Sequence, residues 1–178
     1  PGGVEIHAHG GGGRDFMECT EDAFRAAVKT HMKYGTTSIF PTLSSSTVPM
    51  IEQAAETCTK LMEEKDSPIL GLHLEGHYLN MAMAGGQIPE NIKSPDPNEY
   101  IPIVETWSCI KRWDAAPELP GADKFIEKFH DEVAISLGHS TASYEIASKA
   151  FAAGASHATH LFNAMRATLL RALEWRKP

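Results

Sequence analysis

Two rhythms of apolar and polar residues take turns along this chain. Val4 to His9 is short and strand-like, and Thr20 to Tyr34 then carries Phe24, Ala27, Val28 and Met32 at helical spacing. Thr20 is placed to cap that helix and Gly35 to end it. The alternation continues with a strand over Thr36–Leu43, a helix over Ser46–Lys65 and a strand over Ile69–Glu75. A Gly- and Pro-rich loop, Ala84–Pro97, is long enough to suggest function. Beyond it the pattern predicts a short helix over Tyr100–Cys109, a strand over Trp113–Glu118 and a helix over Gly121–His130. A strand over Val133–Leu137, a helix over Ala142–Ala153 and a strand-like run over His157–Phe162 follow.

Strands that alternate with helices in this way predict an α/β fold with a parallel sheet, and the number of units favours a barrel over an open sheet. The expectation is an incomplete TIM-like (β/α) barrel of about six βα units, since eight would need about 250 residues. Residues 1–165 are assigned to this partial barrel, and 166–178 to a basic tail that departs from the pattern. Two unpaired strand edges and an uncovered inner layer predict self-association.

Composition narrows the role. With 16 Lys+Arg against 23 Asp+Glu the chain is mildly acidic, so it lacks the basic footprint of a nucleic-acid binder. It contains no apolar run of ~18 residues that could span a bilayer. A cytoplasmic, small-molecule role is the expectation. Cys19, Cys58 and Cys109 form no C-x-x-C pair and are read as reduced thiols. Gly10–Gly13 lacks the spacing of a dinucleotide-binding loop.

The nine histidines change the picture more, because several of them fall at predicted strand ends. In a βα barrel the chemistry sits at those ends. His7 and His9 close the first strand on one face; Glu75 closes the third, His139 follows the fifth and His160 closes the sixth. Imidazoles and a carboxylate are the usual ligands of zinc or a similar divalent ion, and three protein ligands leave a catalytic site with an open position. A carboxylate at the end of an apolar strand is costly without a partner, and a cation is one. Any one of these histidines alone is more readily explained as a hydrogen-bonded core residue; their joint placement is what points to a metal. His73 is given a packing or supporting role, Glu118 that of polar scaffolding at the mouth, and His31, His130 and His157 structural or surface roles.

The segments PGGVEIHAHG (from Pro1), HLEG (from His73), APE (from Ala116), GHS (from Gly138) and THLFNAM (from Thr159) together resemble the motifs of N-acetylglucosamine-6-phosphate deacetylases, within the amidohydrolase superfamily. The resemblance runs in order from Pro1 to about Met165. It implies a metal-dependent barrel carrying a small β-sandwich built from flanking sequence. It further implies that Glu75, His139 and His160 hold a principal ion, zinc or iron, and that His7 and His9 support a second. Gly86, Gln87, Asn163 and Ala164 match positions that contact a phosphorylated amino sugar, and Arg171 stands at the spacing of a phosphate-binding arginine. The family's general acid is an aspartate at the end of strand eight; no carboxylate here matches it, and it is expected beyond Pro178. Relatives of this kind are commonly homo-oligomers. His77 replaces a proline usual in the family and is expected to face solvent. The alternatives are a metal-binding chain without catalytic competence and another amidohydrolase; against the second stand THLFNAM and GGQIPE, and the lack of a lysine at a strand end.

Overall fold

The computed structural model describes residues 1–165. Its strands are β1 (Gly3–Ala8), β2 (Gly10–Gly11), β3 (Arg14–Asp15), β4 (Thr36–Leu43), β5 (Leu72–Leu74), β6 (Ile110–Ala115), β7 (Ala134–Leu137) and β8 (His157–Ala158). The α-helices are α1 (Glu21–Lys33), α2 (Val48–Met62), α3 (Pro97–Thr106), α4 (Ala122–Phe129) and α5 (Tyr144–Ala152). One six-stranded sheet runs β1-β4-β5-β6-β7-β8, every neighbouring pair parallel, while β2 and β3 form a small antiparallel hairpin. Spatial order follows chain order, as in the arc of a βα barrel, and among the described residues β1 and β8 are its two edges.

Local chemistry accounts for most element boundaries. Thr20 caps α1 by accepting from the Ala23 N–H at 3.3 Å, and Gly35 ends the turn after it at a φ of +96°. Asp96 caps α3 through the Asn98 N–H, so that helix begins three residues before the predicted Tyr100, at Pro97, whose missing donor costs nothing there. Ser143 caps α5 through Ile146. The apolar face of each helix is buried on the sheet: Ala23, Phe24, Ala27 and Val28 from α1, and Phe125, Ile126 and Phe129 from α4. Phe125 packs edge-on against Trp113 of β6 and against Tyr78, with ring centroids 5.2 and 5.5 Å apart.

Two predicted strands need correction. The fourth runs over Ile110–Ala115 rather than Trp113–Glu118, because Arg112 and Asp114, which break the apolar run, are paired inside the fold while Pro117 cannot continue a central ladder. The last strand stops after His157–Ala158, since His160, Phe162 and Ala164 all take positive φ. The three cysteines are unpaired and buried. Among the described residues no helix is long and apolar enough to cross a membrane. Val4 and Ile6 on β1 are exposed.

The parallel register aligns the strand ends. Leu43 pairs with Leu74, Leu74 with Trp113, Ala115 with Leu137, and Leu137 with Ala158. Ladder bonding persists just past the ends: Glu75 N–H donates to Leu43 O at 2.8 Å and Thr159 N–H to Leu137 O at 2.8 Å. The residues that leave the strands there therefore emerge at one rim, held by their neighbours.

Candidate metal centre

Glu75 is the hub of that rim, and it is almost fully buried. Its Oε1 lies 3.0 Å from His139 Nε2 and makes a still closer contact with His160 Nε2. Its Oε2 lies 3.0 Å from His9 Nε2 and 3.5 Å from His7 Nε2, and those two imidazole nitrogens are themselves 3.1 Å apart. One carboxylate thus gathers four imidazoles from three regions of the chain. Gly76 permits this by turning immediately after Glu75 at a φ of +97°; a Cβ there would lie 2.7 Å from Ser45 Oγ and 2.8 Å from Leu79 Cδ1.

His139 and His160 each adopt left-handed backbone, with φ of 46° and 52°. Such a conformation persists in a non-glycine residue when its surroundings enforce it. The His139 carbonyl accepts from Asn80 N–H at 2.9 Å, and the His160 carbonyl from Asn163 N–H at 2.5 Å. His139 Nδ1 donates to the Met83 carbonyl at 2.7 Å, which leaves Nε2 to face Glu75.

Electrostatics follow from this crowding. Burial works to raise the Glu75 pKa, but hydrogen bonds from His139, His7 and His9 outweigh it and hold the carboxyl far below the usual range. The hydrogen bond to Glu75 raises the pKa of His9 against the opposing effect of burial. For His139 burial is the largest influence and lowers the pKa, yet Glu75 and the Met83 carbonyl together bring it out raised.

Among the described residues three sets of side chains bring their ligand atoms within 4.8 Å of one another: Glu75–His139–His160, His7–His9–Glu75 and His7–His73–Asp114. The first two have the donor chemistry of a divalent transition-metal site, two imidazoles with a carboxylate each, and they share Glu75. A cation between these groups would replace the protons that now separate them. The third set does not fit. His73 Nε2 is 2.9 Å from Asp114 Oδ1, and Arg112 Nε stands 3.6 Å from the same oxygen, so positive charge already occupies the place a cation would take. Desolvation lowers the His73 pKa against the opposing pull of Asp114; burial alone would raise the Asp114 pKa, but His73 and Arg112 lower it.

Beneath the rim lies a polar layer that the apolar runs did not foretell. His73 Nδ1 meets Thr42 Oγ1 at 3.1 Å, and Thr42 Oγ1 accepts from Ala8 N–H at 3.0 Å. Arg112 donates to Ile6 O at 3.0 Å, to Ser136 Oγ at 3.2 Å and to Thr159 Oγ1 at 2.5 Å. The signal was available as two charged residues two positions apart in one strand, Arg112 and Asp114.

The loop residues flank this centre. A Cβ on Gly85 would come 3.8 Å from His139 Cε1, whereas one on Gly86 would meet nothing within 4 Å. Gln87 is buried, with its Oε1 accepting from Ser45 N–H at 2.7 Å. Ala164 O accepts from Ser140 N–H at 3.0 Å, and Asn163 is exposed next to His160. Arg171 lies outside the described residues. The expectation for His77 is overturned: it is fully buried, edge-on to Tyr78, because the chain turns inward after Gly76 rather than out to solvent. Among the described residues His31, His130 and His157 bond to backbone, hydroxyl or carboxylate groups away from Glu75.

Parallel strands in barrel order, with imidazoles gathered on a carboxylate at their C-terminal ends, define the class as a βα barrel with a candidate metal centre at its rim. The amidohydrolase family profile matches residues 1–175, and the chain belongs to that family. It is similar to the N-acetylglucosamine-6-phosphate deacetylase of Bacillus subtilis, 33% identical over 176 residues covering 93% of this chain and 43% of the relative. It also resembles an N-acetylgalactosamine-6-phosphate deacetylase of a Shewanella species, 29% identical over 171 residues covering 96% of this chain and 43% of the relative. The crystal structure of N-acetyl-D-glucosamine-6-phosphate deacetylase from Mycobacterium smegmatis superposes with a TM-score of 0.87 at 32% identity, covering 94% of this chain and 44% of that one. The chain therefore spans less than half the length of these relatives.

Proposed function

We propose that this chain carries the metal centre of a deacetylase that hydrolyses N-acetylglucosamine 6-phosphate to acetate and glucosamine 6-phosphate. The observation that carries the reading is the convergence of His139, His160, His7 and His9 on the two oxygens of Glu75. In this reading Glu75, His139 and His160 hold the principal ion, and His7 and His9 support a second through the other oxygen. A divalent cation there, zinc or iron, supplies Lewis acidity toward an acetamide carbonyl and a water molecule.

The chain's own groups have separate tasks. Glu75 is held ionised by its imidazoles, so it offers both oxygens without first losing a proton. The Met83 carbonyl fixes the His139 tautomer. Gly86, Gln87, Asn163, Ala164 and Arg171 are assigned in this reading to the phosphorylated sugar. Gln87 has one oxygen tied to Ser45, which leaves its amide N–H groups to orient a ligand. Residues 1–165 form the catalytic unit in this reading, with 166–178 as a tail.

A second reading, a metal-binding chain without turnover, is favoured by the carboxylates. Asp114 is committed to His73 and Glu118 to four donors, so neither is assigned as proton donor to the leaving amine. The deciding experiment follows acetate release from N-acetylglucosamine 6-phosphate by the purified chain with added zinc or ferrous iron, alongside His139→Ala. Release that needs metal and disappears in the variant selects the first reading. Tight metal binding without release selects the second reading, and failure to bind either metal overturns both. The N-acetylgalactosamine epimer is run beside it, since one relative bears that name.

A further inference from the structure

Glu118 sits in the turn between β6 and α4 and contacts none of the four imidazoles around Glu75, yet its carboxylate is fully engaged. Oε1 accepts from Asn80 Nδ2 at 2.9 Å, from Thr141 N–H at 2.5 Å and from Thr141 Oγ1 at 3.1 Å. Oε2 accepts from Ser140 Oγ at 2.6 Å. Every donor comes from one of two segments beyond the strand ends: the loop after β5 or the turn that begins at His139.

Both segments lead to the same imidazole. Asn80 N–H donates to the His139 carbonyl at 2.9 Å, and Asn80 Oδ1 accepts from Ala82 N–H at 2.9 Å, capping the single turn Met81–Met83. That turn presents the Met83 carbonyl to His139 Nδ1 at 2.7 Å. Ser140 and Thr141 follow His139 directly. Asn80 Nδ2 also donates to Thr141 Oγ1 at 3.0 Å, closing the ring of contacts. Two residues beyond Met83 in the same loop lies Gly85, against the His139 ring.

We infer that Glu118 is a positioning residue: it clamps Asn80 to the 140–141 turn, and so holds the Met83 carbonyl and the His139 imidazole in the tautomer and direction that leave Nε2 toward Glu75. The inference rests on the metal-centre reading above and adds to it the part that orients one ligand. Partners that fix the second nitrogen of a ligating histidine change metal affinity by about 10- to 100-fold when removed. The β6–α4 packing does not need this carboxylate, because Trp113 and Phe125 meet independently of it.

Three variants test the inference: Glu118→Ala, Glu118→Gln and Phe129→Leu, the last a destabilising control in the α4 core. Zinc affinity is measured by competition with a chromophoric chelator, thermal stability by melting, and the His139 Nδ1–H signal by nitrogen-correlated proton NMR of the metal-free chain. Glu118→Ala is expected to weaken zinc about 10- to 100-fold and to lose the Nδ1–H signal. Glu118→Gln, which keeps an acceptor for Asn80 and Thr141, is expected to stay near the wild type in both. Phe129→Leu should lower stability without moving either. Unchanged affinity and signal in Glu118→Ala overturn the inference, as does a loss that Phe129→Leu reproduces at equal stability. The NMR readout needs no metal. If His139→Ala still binds zinc while Glu118→Ala loses the signal, the metal assignment fails and the positioning stands.

Discussion

Between pH 7 and pH 4 the imidazole of His77 should gain a proton in the unfolded chain well before it does so in the folded one. Burial holds its pKa down to about 4 from 6.5, the nearby Lys93 charge lowers it further, and Glu99 opposes them. Among the described residues neither ring nitrogen has a hydrogen-bond partner, and Nε2 is 3.6 Å from Glu99 Oε2. The ring stands edge-on to Tyr78, with centroids 4.4 Å apart. As pH falls through 6.5 the unfolded state binds a proton that the folded state refuses until pH is near 4. In that window the unfolded state is the more protonated, so stability falls as pH falls. The whole interval is worth at most roughly 3 kcal/mol, and roughly 2 kcal/mol of it separates pH 7 from pH 4.5. Urea unfolding at pH 7, 5.5 and 4.5 should be compared for the wild type and His77→Gln. Taking the difference between the two proteins at each pH cancels the shared carboxylates. It also cancels His9 and His139, whose raised pKa values act oppositely, with stability present below pH 6.5 and lost as pH rises. The variant should gain on the wild type by roughly 2 kcal/mol across the range; parallel profiles would refute the argument.

Two further outcomes follow from the same geometry. Zinc affinity should rise with pH through the neutral range, by up to about tenfold per pH unit for each proton displaced, because His9 and His139 hold protons more tightly than a free imidazole; chelator competition at pH 6, 7 and 8 measures it, and a flat profile counts against these histidines as ligands. Phe125→Ala should cost about 3–5 kcal/mol in urea unfolding with little change in slope, since that ring is fully buried among Tyr78, Tyr100, Trp113 and Phe129.

Much of this molecule could be read from short-range pattern. Among the described residues apolar spacing placed every α-helix to within a few residues, because a helix or strand declares its buried face through its own periodicity. Two strand ends were misplaced, the fourth by three residues and the last by four, yet Glu75, His139, His160, His7 and His9 stood out as polar groups where apolar runs stop. His77 was not: whether the chain turns inward or outward after Gly76 depends on the space left between Tyr78, Trp113 and Glu99, which come from separate elements.

Tertiary structure alone decided which polar groups meet. Arg112 looked like a break in an apolar run, yet it reaches β1 at Ile6, β7 at Ser136 and the end of β8 at Thr159. Glu118 was recognisable as polar scaffolding, but its four donors lie 22 to 38 residues away in sequence. Periodicity reports what each residue buries against its own element. The pairing of buried charges is set by strand register and by the curvature that brings distant ends to one rim, and both arise only when the whole sheet has formed.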